Sequence, residues 1–169
     1  MSNKDKMKSL SPNLIALLLP VTILLHQLEE YFGQFPLWYS NLLNAELSNR
    51  DFILINGVGL FIFTVFALSY FFNKNNLILV ALGTLVFVNG MVHLLLSLYT
   101  FSYSPGTISG VTLFIPLGII IYRNIMPQLS KNENIVAIAI GIIILFSVSL
   151  IALNIWNNIN KQFEKCFIQ

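Results

Sequence analysis

Four side chains suited to acid, base or metal-ligand chemistry stand out in a chain that is otherwise strongly apolar. His26, Glu29 and Glu30 lie in the sequence HQLEE, and His93 ends the sequence NGMVH. On a helix, residues three and four positions apart are neighbours, so His26, Glu29 and Glu30 share one face. Imidazoles and carboxylates that meet on a shared face can hold a metal ion or exchange protons with a substrate.

A metal site is one interpretation of this set, because two imidazoles with one or two carboxylates suit Zn²⁺, Fe²⁺ or Mn²⁺. The spacing differs by one residue type from H-x-x-E-H, in which the outer pair binds zinc and the inner glutamate is the base. By this analogy His26, Glu30 and His93 are the candidate ligands, and Glu29 is the base that activates a metal-bound water. A metal-free site is an equal alternative, in which the same four side chains act directly as catalytic acids and bases.

Other polar residues are candidates for binding or orienting a substrate: Asn56, Asn89, Tyr103 and Thr107. Asn89 lies four residues before His93 and therefore shares its helical face. Thr107 follows Ser104-Pro105-Gly106, a turn sequence that precedes the fourth apolar segment. A turn alone explains this sequence, although N–H groups at the start of the following helix could also bind a phosphate or a carboxylate.

Long apolar segments must position these residues. The chain has 169 residues, of which 56% are hydrophobic and 9% charged, and its mean hydropathy is +0.78. A helix needs about 20 mostly apolar residues to cross a bilayer. We therefore predict an all-α, polytopic membrane helical bundle that forms a single domain. Its predicted spans are residues 13–32, 52–72, 77–99, 107–125 and 134–156.

Smaller features add detail to this bundle. The first loop mixes Trp38 and Tyr39 with leucines and polar residues, which predicts a short helix lying at the membrane interface. Gly57, Gly59 and Gly90 are expected to let the second and third spans pack closely against the first. Pro116 predicts a kink in the fourth span.

The distribution of basic residues predicts the orientation of the bundle. Six of the nine Lys and Arg residues fall on the side of the N-terminus, which predicts a cytoplasmic N-terminus in a bacterial cytoplasmic membrane. In this topology both histidines and the polar residues of the neighbouring spans lie at one depth, in the outer-leaflet half. A net charge of +2 without a basic cluster excludes nucleic acid as a partner, and the single cysteine excludes an intramolecular disulfide.

The ordered motifs resemble those of the HXXEE family of small bacterial integral membrane proteins. They are HQLEE, the Asn-Gly pair at 56–57, NGMVH, and YSPGT at 103–107, and the resemblance extends from about residue 14 to residue 123. It implies a multi-span membrane domain of enzymatic type, without a defined reaction. The family's motif positions correspond to His26, Glu29, Glu30, Asn56, Asn89, His93, Pro105 and Gly106.

These observations lead to a functional prediction with one alternative. We predict a membrane-embedded enzyme of the hydrolase or isomerase class, which acts on a lipid or another hydrophobic small molecule, with or without a divalent metal. The alternative is a non-enzymatic protein, either an ion- or proton-coupled transporter or a lipid-binding protein that uses the same polar cluster. The inner halves of the spans offer few polar residues, which favours the enzyme over the transporter.

Overall fold

The computed structural model describes residues 10–43 and 47–167, and side chains as far as residue 151. These parts of the chain are helical and contain no strand. The helices are α1 (Pro12–Phe32), α2 (Phe35–Leu43), α3 (Asn49–Asn73), α4 (Asn76–Thr100), α5 (Thr107–Ser109), α6 (Ile115–Asn124) and α7 (Lys131–Phe167). A π-helical turn, Gly110–Phe114, joins α5 to α6, and a 3₁₀ turn, Met126–Gln128, follows α6.

Within the described residues, five helical segments are long and apolar enough to cross a bilayer. They are Pro12–Phe32, Asn49–Asn73, Asn76–Thr100, Thr107–Gln128 and Lys131–Ile151. The all-α, polytopic fold predicted from the sequence is therefore confirmed, and α2 is the short helix predicted in the first loop. The cytoplasmic location of the N-terminus stays a prediction.

Helices α1 and α4 begin at residues whose side chains cap free backbone N–H groups. Ser11 Oγ accepts a hydrogen bond from the Leu14 N–H at 3.3 Å, with Pro12 in the first position of α1. Asn75 caps α4 in the same way, its Oδ1 accepting from the Leu77 N–H at 3.0 Å. Polar caps of this kind satisfy donors that the helix itself leaves unpaired, so these two spans start at defined residues.

Helix α4 forms the centre of the bundle and packs against α1, α3, α6 and α7. Ile15 and Leu19 of α1, Leu79 and Val86 of α4, and Ile121 of α6 are completely buried in this core. Helix α3, and α7 as far as Ile151, instead expose most of their large aliphatic and aromatic side chains. Such surfaces are suited to lipid, because hydrocarbon is the solvent within a membrane.

The glycines of the spans pack differently from the sequence prediction. A Cβ on Gly90 would lie 2.8 Å from the carbonyl oxygen of Gly110, so α4 meets the π-helical turn backbone to backbone. A Cβ added to Gly57 or Gly59 would have no neighbouring atom within 4 Å. The prediction of close packing at Gly57 and Gly59 is therefore wrong, because both lie on faces of α3 with open space beside them. Gly90 packs closely, but against the fourth span instead of the first.

The fourth span is irregular where Pro116 lies in its sequence. Proline has no N–H, so the carbonyl group of Thr112 lacks its usual partner four residues later. The helix widens just before this point, and the Ile115 N–H bonds to the Gly110 carbonyl, five residues back. In the wider turn, Gly110 lies against Gly90 and Phe114 is buried in the bundle.

We expect a bulky residue at Gly141 to separate α7 from α4. A Cβ at this position would collide with the Ala81 carbonyl oxygen and would lie 2.8 Å from Thr84 Cβ. Gly141→Leu should lower the free energy of unfolding by about 3 kcal/mol, at the upper end of the cost of overpacking. Thermal unfolding in detergent measures the effect, with Gly57→Leu as the matched control on an open helix face. Equal midpoints for the two variants would contradict this packing.

Candidate metal centre

His26, Glu30 and His93 converge at the end of the bundle where α1 and α4 finish. The Nε2 atoms of His26 and His93 lie 3.5 Å and 3.3 Å from the same oxygen, Glu30 Oε1. One ligand atom from each residue lies within 4.8 Å of the others. Ligands bound at 2.0–2.1 Å to tetrahedral zinc are separated by about 3.3 Å, a value close to both distances from Glu30 Oε1. This group could therefore hold a metal.

All three side chains are removed from solvent. His26 is 3% exposed, Glu30 6% and His93 5%. The ring of Phe114, from the π-helical turn, lies against the His26 ring with centroids 4.3 Å apart. The ring of Phe35, at the start of α2, lies 5.8 Å from the His93 ring. The cluster is thus an enclosed polar site between aromatic side chains.

Each histidine has a serine hydroxyl at its other ring nitrogen. His26 Nδ1 lies 2.8 Å from Ser109 Oγ, and His93 Nδ1 lies 3.3 Å from Ser104 Oγ. Metal-binding histidines usually have a hydrogen-bond partner at the second nitrogen, which fixes the ring orientation. The sequence prediction did not include these two serines in the site. The signal in the sequence that could have identified them is their position: Ser104 lies within the YSPGT motif and Ser109 lies two residues after it.

The second ring nitrogen of His26 is compatible with a metal at the first. Ser109 Oγ lies 2.8 Å from Nδ1 and can accept a hydrogen bond there, with the Gly106 carbonyl oxygen, 3.4 Å away, as the acceptor for its own hydroxyl hydrogen. In that tautomer His26 Nε2 has a free lone pair on the side of Glu30 Oε1, 3.5 Å away. The Nε2 atom is buried and forms no hydrogen bond. A cation between Nε2 and Oε1 would stabilise these two acceptors.

Glu29 does not belong to the converging group and binds a different part of the chain. Its carboxylate accepts four hydrogen bonds: at Oε1 from Tyr103 Oη–H (2.7 Å), Gly106 N–H (3.1 Å) and Ile108 N–H (2.9 Å), and at Oε2 from Ser109 N–H (2.6 Å). The start of the fourth span thus binds a carboxylate, as the sequence allowed, and that carboxylate is the chain's own Glu29. The catalytic role predicted for Glu29 stays a prediction.

Tyr103 is expected to ionise at higher pH than an ordinary tyrosine. Partial burial and the hydrogen bond to Glu29 raise the pKa of Tyr103 to about 12. The difference in alkaline ultraviolet absorbance between the wild-type protein and Tyr103→Phe isolates this phenol. Since the pKa is raised, the hydrogen bond should stabilise the fold below about pH 10 and be lost as the pH rises toward 12. Titration of the isolated phenol near pH 10 would contradict this contact.

The other predicted orienting residues form no hydrogen bond with the side chains of the converging group. Thr107 Oγ1 lies 2.7 Å from the Ser104 carbonyl oxygen and 3.2 Å from that of His93. Asn56 Nδ2 donates to the Phe52 carbonyl oxygen at 3.0 Å. Asn89 Oδ1 is buried without a hydrogen-bond partner. The proposed roles of these residues in orienting a substrate therefore stay predictions.

Gly106 closes the site from the loop between α4 and α5. Its φ of +97° lies in the left-handed region that favours glycine. A Cβ here would lie 2.8 Å from Cε1 of both His26 and His93. The two imidazoles therefore pack directly against a backbone position that only glycine can fill without displacement.

Comparison with known proteins identifies the family of this chain. No match was found among curated proteins or among solved structures. Residues 17–121 match the sequence pattern of the HXXEE family, described as proteins of unknown function with an HXXEE motif. The matched range contains the three converging side chains, the serines beside the histidines and the whole network around Glu29. Because the match covers more than half of the chain, this protein belongs to the HXXEE family.

Proposed function

We propose that this protein is a membrane-embedded, metal-dependent enzyme in which His26, Glu30 and His93 bind a divalent cation. The observation that carries the proposal is the meeting of three buried ligand atoms within 4.8 Å of one another, with both distances from Glu30 Oε1 close to those in a tetrahedral metal site. Zn²⁺ is the best fit among Zn²⁺, Fe²⁺ and Mn²⁺, since two histidines and one glutamate form a known type of catalytic zinc site.

The number of ligands supports a catalytic role for this metal. Structural zinc sites are closed by four protein ligands, whereas catalytic sites have three and leave a position for water or substrate. Within the described chain the group consists of three residues, His26, Glu30 and His93. Hydrolysis is the reaction class that such a site supports best, because a metal with an open position activates a bound water.

The surroundings of the site support a hydrophobic substrate. The three ligands lie on helices that are apolar enough to cross a bilayer, and the rings beside them belong to Phe35 and Phe114. A lipid or lipid-like ester or amide could approach such a site from within the membrane, whereas a strongly polar substrate would lose its hydration there. We therefore propose a lipid-like substrate.

Metal titration of the purified wild-type protein tests the proposal. The protein is treated with a chelator in detergent, dialysed, and titrated with Zn²⁺ and then with Co²⁺. One equivalent per chain is expected, and Co²⁺ should give the intense visible absorption of a tetrahedral site. Hydrolysis of a fluorogenic acyl lipid in vesicles should stop on chelation and return with Zn²⁺. Absence of bound metal would refute the metal centre, whereas metal binding without chelator-sensitive hydrolysis would favour an ion-binding or transport role.

A further inference from the structure

Glu29 is the one acid of the HQLEE motif that lies outside the proposed metal centre. We propose that Glu29 is a positioning residue, whose carboxylate holds the segment 103–109 against α1 and thereby sets the orientation of both histidines. This inference rests on the proposed function, since it assigns Glu29 a task in the same site. It also differs from the alternative in which Glu29 is the catalytic base.

The first argument concerns the acceptor capacity of Glu29. An ionised carboxylate offers about four lone-pair sites to hydrogen-bond donors. Three backbone N–H groups and the Tyr103 hydroxyl already supply four donors. Three of these donors meet Oε1 and one meets Oε2, so most of the acceptor capacity of the carboxylate is used within the chain. A residue with this many partners is suited to holding a segment in place.

The second argument concerns what the held segment carries. It contains the hydroxyl groups that face the two histidines, Ser104 for His93 and Ser109 for His26. Ser109 makes both contacts, because its N–H donates to Glu29 Oε2 while its Oγ bonds to His26 Nδ1. Gly106, whose N–H also donates to Glu29, packs against the rings of both histidines. Movement of this segment would therefore displace both serine hydroxyls that contact the imidazoles.

The third argument concerns the adjacent positions of the two glutamates. Neighbouring residues on an α-helix point about 100° apart. Glu30 is buried and points toward His93 of α4, whereas Glu29 is partly exposed and points toward the start of the fourth span. The pair thus connects α1 to two different spans, one through the metal ligands and one through a helix N-terminus, where a negative charge is favourable.

Glu29→Gln tests the positioning role with little change in shape. The introduced amide has one acceptor oxygen and one NH₂ group, so it cannot accept hydrogen bonds on both sides. With the three ligands intact, Zn²⁺ should still bind, but with about 10- to 100-fold lower affinity, as for loss of other supports of metal ligands. The visible spectrum of the Co²⁺ form should also change, because the ligands are reoriented.

Glu133→Gln is the matched control. Glu133 accepts a hydrogen bond from the Ser130 N–H at 2.8 Å at the start of α7, and thus also stabilises a helix start. This variant should bind Zn²⁺ as the wild type does. If Glu29→Gln retains both the wild-type affinity and the wild-type Co²⁺ spectrum, the positioning role is refuted. Loss of hydrolysis alone, with affinity and spectrum unchanged, would refute it in favour of the catalytic base.

A readout without metal separates this inference from the proposed function. The chain has two histidines, so ¹⁵N-histidine labelling gives two ring systems. In the metal-free wild type, the ring shifts of His26 and His93 report their contacts with Ser109 and Ser104. In Glu29→Gln these shifts should change, because the segment that carries both serines is no longer held in place. If the wild type binds no metal but its His26 signals respond in this way, the metal centre is refuted while the positioning role holds. Unchanged signals would refute the positioning role.

Discussion

Glu30→Gln is expected to lower the affinity of the protein for Zn²⁺ by more than about 100-fold. This loss is larger than the loss expected when a residue that only supports a metal ligand is replaced. Glu30 Oε1 is the atom that both histidine Nε2 atoms approach, at 3.5 Å and 3.3 Å. The substitution removes the negative charge of the site and replaces a carboxylate by a weaker ligand. A competition titration against a coloured chelator measures the affinity directly.

The same variant should not lose stability when no metal is present. In the metal-free protein, Glu30→Gln replaces a buried charge by an amide whose NH₂ group can donate to the unpartnered His26 Nε2. Its thermal midpoint without metal should therefore equal or exceed that of the wild type. Saturation with Zn²⁺ at 100 times its dissociation constant should stabilise the wild type by about 2.7 kcal/mol and the variant by much less. Equal stabilisation of the two proteins by Zn²⁺ would contradict the metal centre.

Gly106→Ala is expected to disrupt the site even though it changes no candidate ligand. A φ of +97° costs an L-residue about 1–2 kcal/mol. The added Cβ would also lie 2.8 Å from both imidazole rings, and the rings are confined by Phe114 and Phe35. We expect the free energy of unfolding to fall by about 3 kcal/mol in total, since overpacking adds a further cost.

Metal binding and stability should change together in Gly106→Ala. Rotation of the histidines away from Glu30 would relieve their contact with the new methyl group, so Zn²⁺ affinity should fall along with the thermal midpoint. Gly59→Ala is the control, because nothing lies within 4 Å of a Cβ at that position. A Gly106→Ala protein with wild-type Zn²⁺ affinity would show that the loop does not press on the histidines as described.

The central convergence could be anticipated from the sequence because it depends on two simple regularities. A spacing of four residues places His26 and Glu30 on one helical face, and alternating spans return His93 to the same end of the bundle. The caps Ser11 and Asn75 fix where α1 and α4 begin, so the depth of each side chain along its span is predicted to within a few residues. The number of spans followed from the apolar segments alone.

The different surroundings of the two adjacent glutamates could not be anticipated in the same way. Glu29 and Glu30 both lie on the face of His26, and spacing within one helix does not reveal which neighbouring helix each side chain meets. That outcome depends on the path of the loop before α5 and of α5 itself, where the backbone N–H groups of Gly106, Ile108 and Ser109 face α1. Hydrogen bonds from the backbone have no signature in the side-chain sequence.

The predicted packing of the glycines was wrong for a related reason. Two glycines in one span, such as Gly57 and Gly59, are typical of close contacts between helices. Helix α3 nevertheless has open space beside both of them. The close backbone contact forms instead between Gly90 and Gly110, where the π-helical turn brings the fourth span to α4. Composition indicates that close approach is possible, whereas the position of each helix in the bundle decides where it occurs.

The π-helical turn also constrains the length of the chain in this region. A π turn differs from a regular α-helical turn by one extra residue, and one residue corresponds to a rotation of about 100° around the helix axis. Deleting a residue between Ser109 and Ile115 would leave α6 in place but rotate Ser109, Gly106 and Ser104 away from α1. Insertions and deletions at this point therefore have consequences that substitutions do not, since they change the angular register between two halves of one span.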